Sequence, residues 1–325
     1  MATLHVRLLG CLQVERGGDV VPIGPPRVRE LLACLLLERH GLLPRAHLAY
    51  RLWPDSGEGQ ARTNLRQALH QLRRALPESE RLLTLDGPHL GWRADAVIGL
   101  DVAVFEQQLA VAVAARQAHD AELERQALGA AAHAYSGELA PEIYAAWIEP
   151  HRVRLHEACG QVLERLADLQ AWERDDRGAI ETATRLVRHD PLAEAPYRML
   201  MQLLERSGER AKALHVYHSC ATVLQRELGV EPTAATRALH ERLLRLDVAL
   251  ASGQPAPEAP AAPAHAAPLV GRRPDLEALR DAWRLALGGR PRLWLLTGDA
   301  GIGKTRLSEE FARGLGRTEG AVAAA

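Results

Sequence analysis

The stretch Gln60-Ala-Arg-Thr-Asn-Leu-Arg-Gln-Ala-Leu-His-Gln-Leu-Arg-Arg-Ala-Leu76 decides how the front of the chain is read. Ala61, Leu65, Leu69, Leu72 and Leu76 recur on one face at helical spacing, with Ala68 at its edge. Arg62, Thr63, Arg66, Gln67, His70, Arg73 and Arg74 fall on the other face. A helix with a leucine stripe behind and guanidinium, amide, hydroxyl and imidazole groups in front suits a DNA major groove. Those donors match phosphates and base edges, and the stretch holds no acid to repel the backbone. An ordinary surface helix with solvated charges shows the same pattern, so the flanking sequence has to separate the two.

Upstream, Leu4 to Val14 alternates apolar and polar residues and reads as a strand. Gly17-Gly18-Asp19 is a turn and Val20–Ile23 a second short strand. After Pro25-Pro26, Val28, Leu31, Leu32, Leu35 and Leu36 mark a helix over Arg27–Glu38, closed by Gly41. Pro44–Trp53 is a second, shorter helix, followed by the loop Ser56–Gly59. Downstream, Arg81–Leu85 and Leu90–Arg93 form a hairpin across Asp86-Gly87-Pro88. Strands, three helices and a hairpin are the order of a winged helix-turn-helix, with the third helix placed to recognise DNA and the hairpin as the wing. Trp53 and Trp92 lie among apolar neighbours and are expected in the core.

Charge is divided along the chain. The net formal charge is −1, but residues 1–95 hold thirteen Arg against ten acids, and residues 96–250 hold seventeen bases against twenty-three acids. A mildly basic front and an acidic middle suit DNA binding by the first alone. Only Lys212 and Lys304 are lysine, a bias that a GC-rich genome produces without functional cause. Cys11, Cys34, Cys159 and Cys220 are scattered without metal spacing, and buried thiols are expected. The N-terminus carries Arg7 and Glu15 and lacks the core of a secretion signal. No later apolar run approaches ~20 residues. A cytoplasmic protein with no membrane partner is expected.

From Asp101 to Leu250 strands disappear, and Ala, Leu, Glu and Arg recur with helical period, enough for six or seven helices. Ala179 and Ala213 are 34 residues apart, as are Ile180 and Leu214, the period of tetratricopeptide helix pairs. Asp101, Glu106, Asp175 and Asp176 form no paired-carboxylate cleft and read as caps and solvated faces. Residues 251–268 are a Pro/Ala spacer. A helix over Asp275–Leu287 and a strand over Arg292–Thr297 then precede Gly298-Asp-Ala-Gly301-Ile-Gly303-Lys304-Thr305, with a helix over Arg306–Leu315. This is a P-loop in strand–loop–helix context. Gly298, Gly301 and Gly303 free backbone N–H groups for phosphate, Lys304 reaches the β and γ phosphates, and Thr305 holds Mg²⁺. No Walker B acid follows in the twenty residues after Thr305. A fragment of this size is expected to be poorly ordered and not a competent ATPase, so ATP and Mg²⁺ would bind only in a complete module. The last six residues, Gly320–Ala325, read as an arbitrary or tolerated end.

Two patterns in the family's order carry a resemblance. Leu8-Leu9-Gly10, Arg29–Leu37, Leu52-Trp53-Pro54-Asp55, Asn64-Leu65, Leu72–Leu76 and Gly87–Arg93 resemble the OmpR-type winged helix of the antibiotic regulatory protein (SARP) family. Asp101–Phe105, Tyr135–Leu139, Trp147–Pro150 with Arg152 and Arg154, and Glu227–Pro232 resemble the bacterial transcriptional activation domain that follows it. The P-loop resembles the ATPase module of larger members. The resemblance implies that Arg62, Thr63, Arg66, Gln67 and His70 approach bases or phosphates, that Arg73 and Arg74 sit nearer the backbone, and that His89 and Arg93 on the wing enter the minor groove. Family wings often read Gly-Gly-Tyr or Gly-Pro-Gly-Tyr. This one reads Gly87-Pro-His-Leu-Gly-Trp92, which weakens the wing contact.

The expected fold is mainly α: a winged helix-turn-helix domain over residues 1–96, an all-α TPR-like domain over 97–250, a linker over 251–268 and an incomplete P-loop α/β fragment over 269–325. The expected function is a sequence-specific transcriptional activator that binds direct-repeat duplex DNA as a dimer. It needs no cofactor for this and, by resemblance, contacts RNA polymerase. An ATP-driven switch with a DNA-binding output, and a helical scaffold without DNA binding, are the alternatives.

Overall fold

The computed structural model describes residues 4–93, 98–251, 275 and 277–279. The linker after Ala251, the strand at 292–297, the loop Gly298–Thr305 and the helix at 306–315 lie outside the described residues. Asp275 and Glu277–Leu279 are helical, inside the helix expected there. The fold is mainly α, with two small sheets at the front.

Strand β1 (Leu4–Arg7) pairs antiparallel with β2 (Gln13–Arg16), which turns at Gly17-Gly18 into β3 (Asp19–Val20). The alternating run Leu4–Val14 is therefore two strands, not one. Leu8 and Leu9 are both fully buried, which one strand face cannot accomplish. Gly10 then breaks the strand at φ +91°. Helix α1 (Pro26–Leu37) starts with proline in its first turn and buries Val28 and every residue from Leu31 to Leu37. After β4 (Leu43–Pro44) come α2 (Arg45–Leu52) and α3 (Glu58–Ala75), and the Leu65, Leu69 and Leu72 stripe of α3 packs into the core shared with α1 and α2. A one-turn helix α4 (Ser79–Leu82) replaces the start of the expected strand, because Pro77 ends α3 and the Leu82 N–H closes back on the Glu78 carbonyl at 3.1 Å. The wing is β5 (Leu83–Asp86) and β6 (His89–Trp92), with β4 on the outer side of β6.

Trp92 is buried and its indole N–H donates to the Leu35 carbonyl at 2.8 Å, and Trp53 packs at the core edge. A Cβ on Gly91 would lie 2.7 Å from the Gly41 carbonyl oxygen. Gly91→Ala is therefore expected to cost about 1–3 kcal/mol in urea unfolding, the usual range for overpacking. A variant as stable as the parent would contradict that close approach.

A fourth strand, which the sequence did not reveal, joins the first sheet. Strand β7 (Ile98–Leu100) runs parallel to β1, pairing Leu4 with Ile98 and Val6 with Leu100. Among the described residues no strand follows it. Up to Ala251, seven α-helices do: α5 (Asp101–Gln117), α6 (Ala121–Ala134), α7 (Glu149–Trp172, entered by a 3-10 turn), α8 (Asp176–His189), α9 (Glu194–Arg206), α10 (Arg210–Leu228) and α11 (Ala234–Ala251). Helices α8 and α10 start 34 residues apart, with Ala179 and Ala213 fully buried at equivalent points of one core that α9 completes. Asp175 caps α8 by accepting the Gly178 N–H at 3.0 Å.

The described residues up to Val248 form one compact unit, so the junction expected at 96/97 lies inside it. Asp101 and Glu106 build that junction, against the reading of both as caps or solvated faces. The Asp101 carboxylate accepts the N–H groups of Leu8 (2.9 Å), Leu9 (2.8 Å) and Val102 (2.7 Å). Burial pushes its carboxyl up, while the three donors pull it back. Nearby, Gly10 N–H donates to Glu138 O at 2.8 Å, Ala140 N–H to Leu8 O at 2.7 Å, and Leu12 N–H to the Glu142 carboxylate at 2.7 Å. Glu106 on α5 lies 2.5 Å from Arg39, just after α1, and 2.7 Å from Arg154 on α7.

Burial alone would raise the Glu106 carboxyl, but the two guanidinium groups hold it below the usual range. A carboxylate with a depressed folded value adds stability that is present above its unfolded value, about 4.3, and lost as pH falls through the folded one. Glu106→Gln is therefore expected to lower stability at neutral pH and to lose less than the parent on acidification. Parallel acid limbs in the two proteins would contradict this.

Cys34, Cys159 and Cys220 are buried thiols as expected, whereas Cys11 is exposed, because it sits in the β1–β2 turn. Burial pushes the Cys159 and Cys220 thiols up to about 11, away from nucleophilic use. Among the described residues, no helix is long and apolar enough to cross a membrane.

Candidate nucleic-acid interface

Helix α3 buries Ala61, Leu65, Ala68, Leu69 and Leu72, so its opposite face is fixed outward. Arg62, Arg66, Gln67, His70 and Arg74 are exposed there. At ~100° per residue, Gln67, His70 and Arg74 share a narrow arc with Thr63, directly opposite the core. Among the described residues, the side chains of Arg66, Gln67, His70 and Arg74 make no hydrogen bond or ion pair, so all their donors are available. Two other residues are less free. The Thr63 hydroxyl donates to Gly59 O at 3.0 Å, within the helix. Arg73 is half-buried on the flank, with its Nε shielded and unbonded.

Sequence reading from Gln60 missed one acid. Helix α3 begins at Glu58, whose carboxylate pairs with Arg62 one turn on. Glu58 belongs to the first turn because an acid there complements the helix N-terminus, which Gly57 leaves without a side-chain cap. Both partners are well exposed, and such a pair is worth little in water, so Arg62 can exchange it for phosphate.

The wing is fastened to α2. Its tip is Asp86-Gly87-Pro88-His89, with Gly87 at φ +55°, and the Pro88 carbonyl accepts the Arg45 N–H at 2.8 Å. His89 is half-buried at this tip, opposite Pro44 in the β4–β6 pairing. Arg93 lies at the other end of the hairpin, where its N–H donates to Leu82 O at 2.8 Å. The structure thus brings His89 to the wing tip and leaves Arg93 at its base. Arg45, at the start of α2 beside the tip, was not singled out in the sequence. Its signal was the proline before it, which starts the helix. No cluster of three or more metal-ligating side chains occurs among the described residues.

The helical part matches the model of the bacterial transcriptional activator domain over residues 100–244, and residues 268–325 match an AAA ATPase domain. The regulatory protein AfsR of Streptomyces coelicolor is 31% identical over 322 residues, covering 95% of this chain and 32% of AfsR. The chain is homologous to SARP-family regulators over most of its length. The regulatory protein DnrI of Streptomyces peucetius is 25% identical over 271 residues, covering 80% of this chain and 98% of DnrI. Mycobacterium tuberculosis EmbR, solved in complex with a low-affinity phosphopeptide, superposes with a TM-score of 0.59 at 25% identity. That alignment covers 79% of this chain and 67% of EmbR, and the two share the architecture. The chain spans about a third of the length of the AfsR proteins it matches. The parts follow one another as a front unit of strands, three helices and a hairpin, then the region that matches the activator domain, then the region that matches the ATPase domain.

Proposed function

We propose that this chain is a sequence-specific DNA-binding transcriptional activator. The observation that supports it best is the outward face of α3, where Arg66, Gln67, His70 and Arg74 stand free beside a wing anchored on α2. Arg66 and Gln67 read base edges. Arg62, Arg74 and the half-buried Arg73 contact phosphates, Thr63 offers an acceptor and a methyl group, and His89 enters the minor groove from the wing tip. Arg93, exposed at the base of the wing, is the second wing contact to DNA. The chain binds direct-repeat sites as a dimer, and the activator domain meets RNA polymerase. No cofactor is needed for DNA binding, and the protein is a regulator rather than an enzyme, acting in the cytoplasm. The parts fall at about 1–96, 97–250, 251–268 and 269–325.

Selection from random duplex DNA with the whole chain tests this reading. A repeated motif at fixed spacing is the expected result. Equal binding to all sequences, or to none, would move the weight to a protein-interaction scaffold. The match of residues 268–325 to an AAA ATPase domain favours a second reading, an ATP-dependent switch with DNA binding as its output. In it, Gly298, Gly301, Gly303, Lys304 and Thr305 hold nucleotide and Mg²⁺. ATP turnover that disappears in Lys304→Ala would establish it.

A further inference from the structure

A cavity of about 620 Å³ opens between the loop after α6, the first half of α7 and the last turn of α8. That volume lies in the range of small-molecule sites. Leu163 and Cys159, both buried, give it an apolar floor. Its cationic groups are not equally engaged. Arg152 is spent on the carbonyls of Leu139 (3.0 Å), Ala140 (2.7 Å) and Ile143 (2.8 Å), and pairs with Glu149 at 2.6 Å and Glu138 at 3.3 Å. Arg185 donates through one nitrogen to the carbonyls of Ala132 and Tyr135. Arg188 makes no hydrogen bond or ion pair with any described residue. Beside it the rings of His156 and His189 stack at 3.9 Å, and His189 Nε2 donates to the His156 carbonyl at 2.9 Å.

We propose that this cavity binds a small organic anion, an apolar body carrying a single phosphate or carboxylate group. An unpaired guanidinium, the free edge of a second one and the exposed His156 ring suit an anionic head, and Arg groups grip such heads through paired N–H donors. Glu138 and Glu149 share Arg152, which offsets one of their two charges and holds both carboxylates on the Arg152 side of the cavity. Glu157, exposed and without a partner among the described residues, lines the same cavity and disfavours polyanions such as nucleoside triphosphates.

The site has a route to the winged helix. Its wall, Tyr135–Glu138, is the loop that holds the end of β1. Ser136 Oγ donates to Leu9 O, and Gly10 N–H donates to Glu138 O at 2.8 Å. A Cβ on Gly10 would lie only 3.2 Å from Ser136 Oγ, so a ligand that moves this loop moves β1 with it.

Calorimetric titration of the whole chain with phenyl phosphate, and in parallel with benzoate, tests the proposal. Saturable one-to-one binding of at least one probe in the millimolar range or tighter is expected, and the preferred probe tells phosphate from carboxylate. Arg188→Gln should weaken that binding about tenfold and leave the melting temperature unchanged, since Arg188 is exposed and unpaired among the described residues. His156→Gln should weaken it by a smaller factor. Absence of saturable binding by both probes, or equal affinity in the parent and Arg188→Gln, would overturn the proposal. Neither result depends on whether the chain binds DNA.

Discussion

Replacing Arg66 and Gln67 together by alanine is expected to weaken binding to the selected duplex at least thirtyfold and to flatten its sequence preference, with no change in melting temperature. Each good base contact discriminates by about 1–3 kcal/mol, and two such losses give at least about thirtyfold. The fold should not notice, because both side chains point away from the Leu65–Leu69–Leu72 stripe and make no bond to any described residue. Arg74→Ala should behave differently. A phosphate contact carries no sequence information, so its loss should weaken all duplexes about equally and reduce the salt slope by about one unit. The two variants together separate reading from positioning. If the Arg66→Ala/Gln67→Ala protein keeps both affinity and preference, α3 is not the reading helix.

Periodicity made α3 legible because its buried stripe is five residues deep and nothing competes with it. The same holds for Ala179 and Ala213, where two backbones approach and only a small side chain fits. What the sequence did not reveal depends on contacts with distant partners. Strand β7 is three residues long and exists by pairing with β1, more than ninety residues away. Leu8 and Leu9 read as part of one alternating strand, yet both are buried because the activator domain closes over them. Asp101 and Glu106 looked like solvent-facing acids because their partners, the Leu8 and Leu9 N–H groups and Arg39, lie across the junction. In the candidate interface, the exposed face of α3 was legible, while the position of Arg93 at the base of the wing was not. A hairpin read from turn residues gives its tip, but not which of its side chains lie at the tip and which at the base.

The same junction carries the largest expected loss of stability. Asp101→Ala should destabilise the protein by about 3 kcal/mol or more in urea unfolding, which is a large part of an ordinary domain's 5–15 kcal/mol. The carboxylate accepts N–H groups from Leu8, Leu9 and Val102, and Leu8 and Leu9 are shut off from water. Removing the acceptor leaves those donors buried and unbonded, at about 1–3 kcal/mol each. Asp101→Asn should fall between, since one amide oxygen can still accept while the amide N–H₂ faces donors. Because Leu8 and Leu9 also meet Asp101, Ser136 and Ala140 across the junction, the damage should spread beyond one side chain. Hydrogen exchange should speed up at Leu8, Leu9 and Ala140, more than in the α9–α10 pair. Loss confined to α5, or less than about 1 kcal/mol, would mean that water or a shifted loop satisfies those donors. The winged helix and the activator domain would then be held together mainly by their shared apolar core and by the Glu106 cluster.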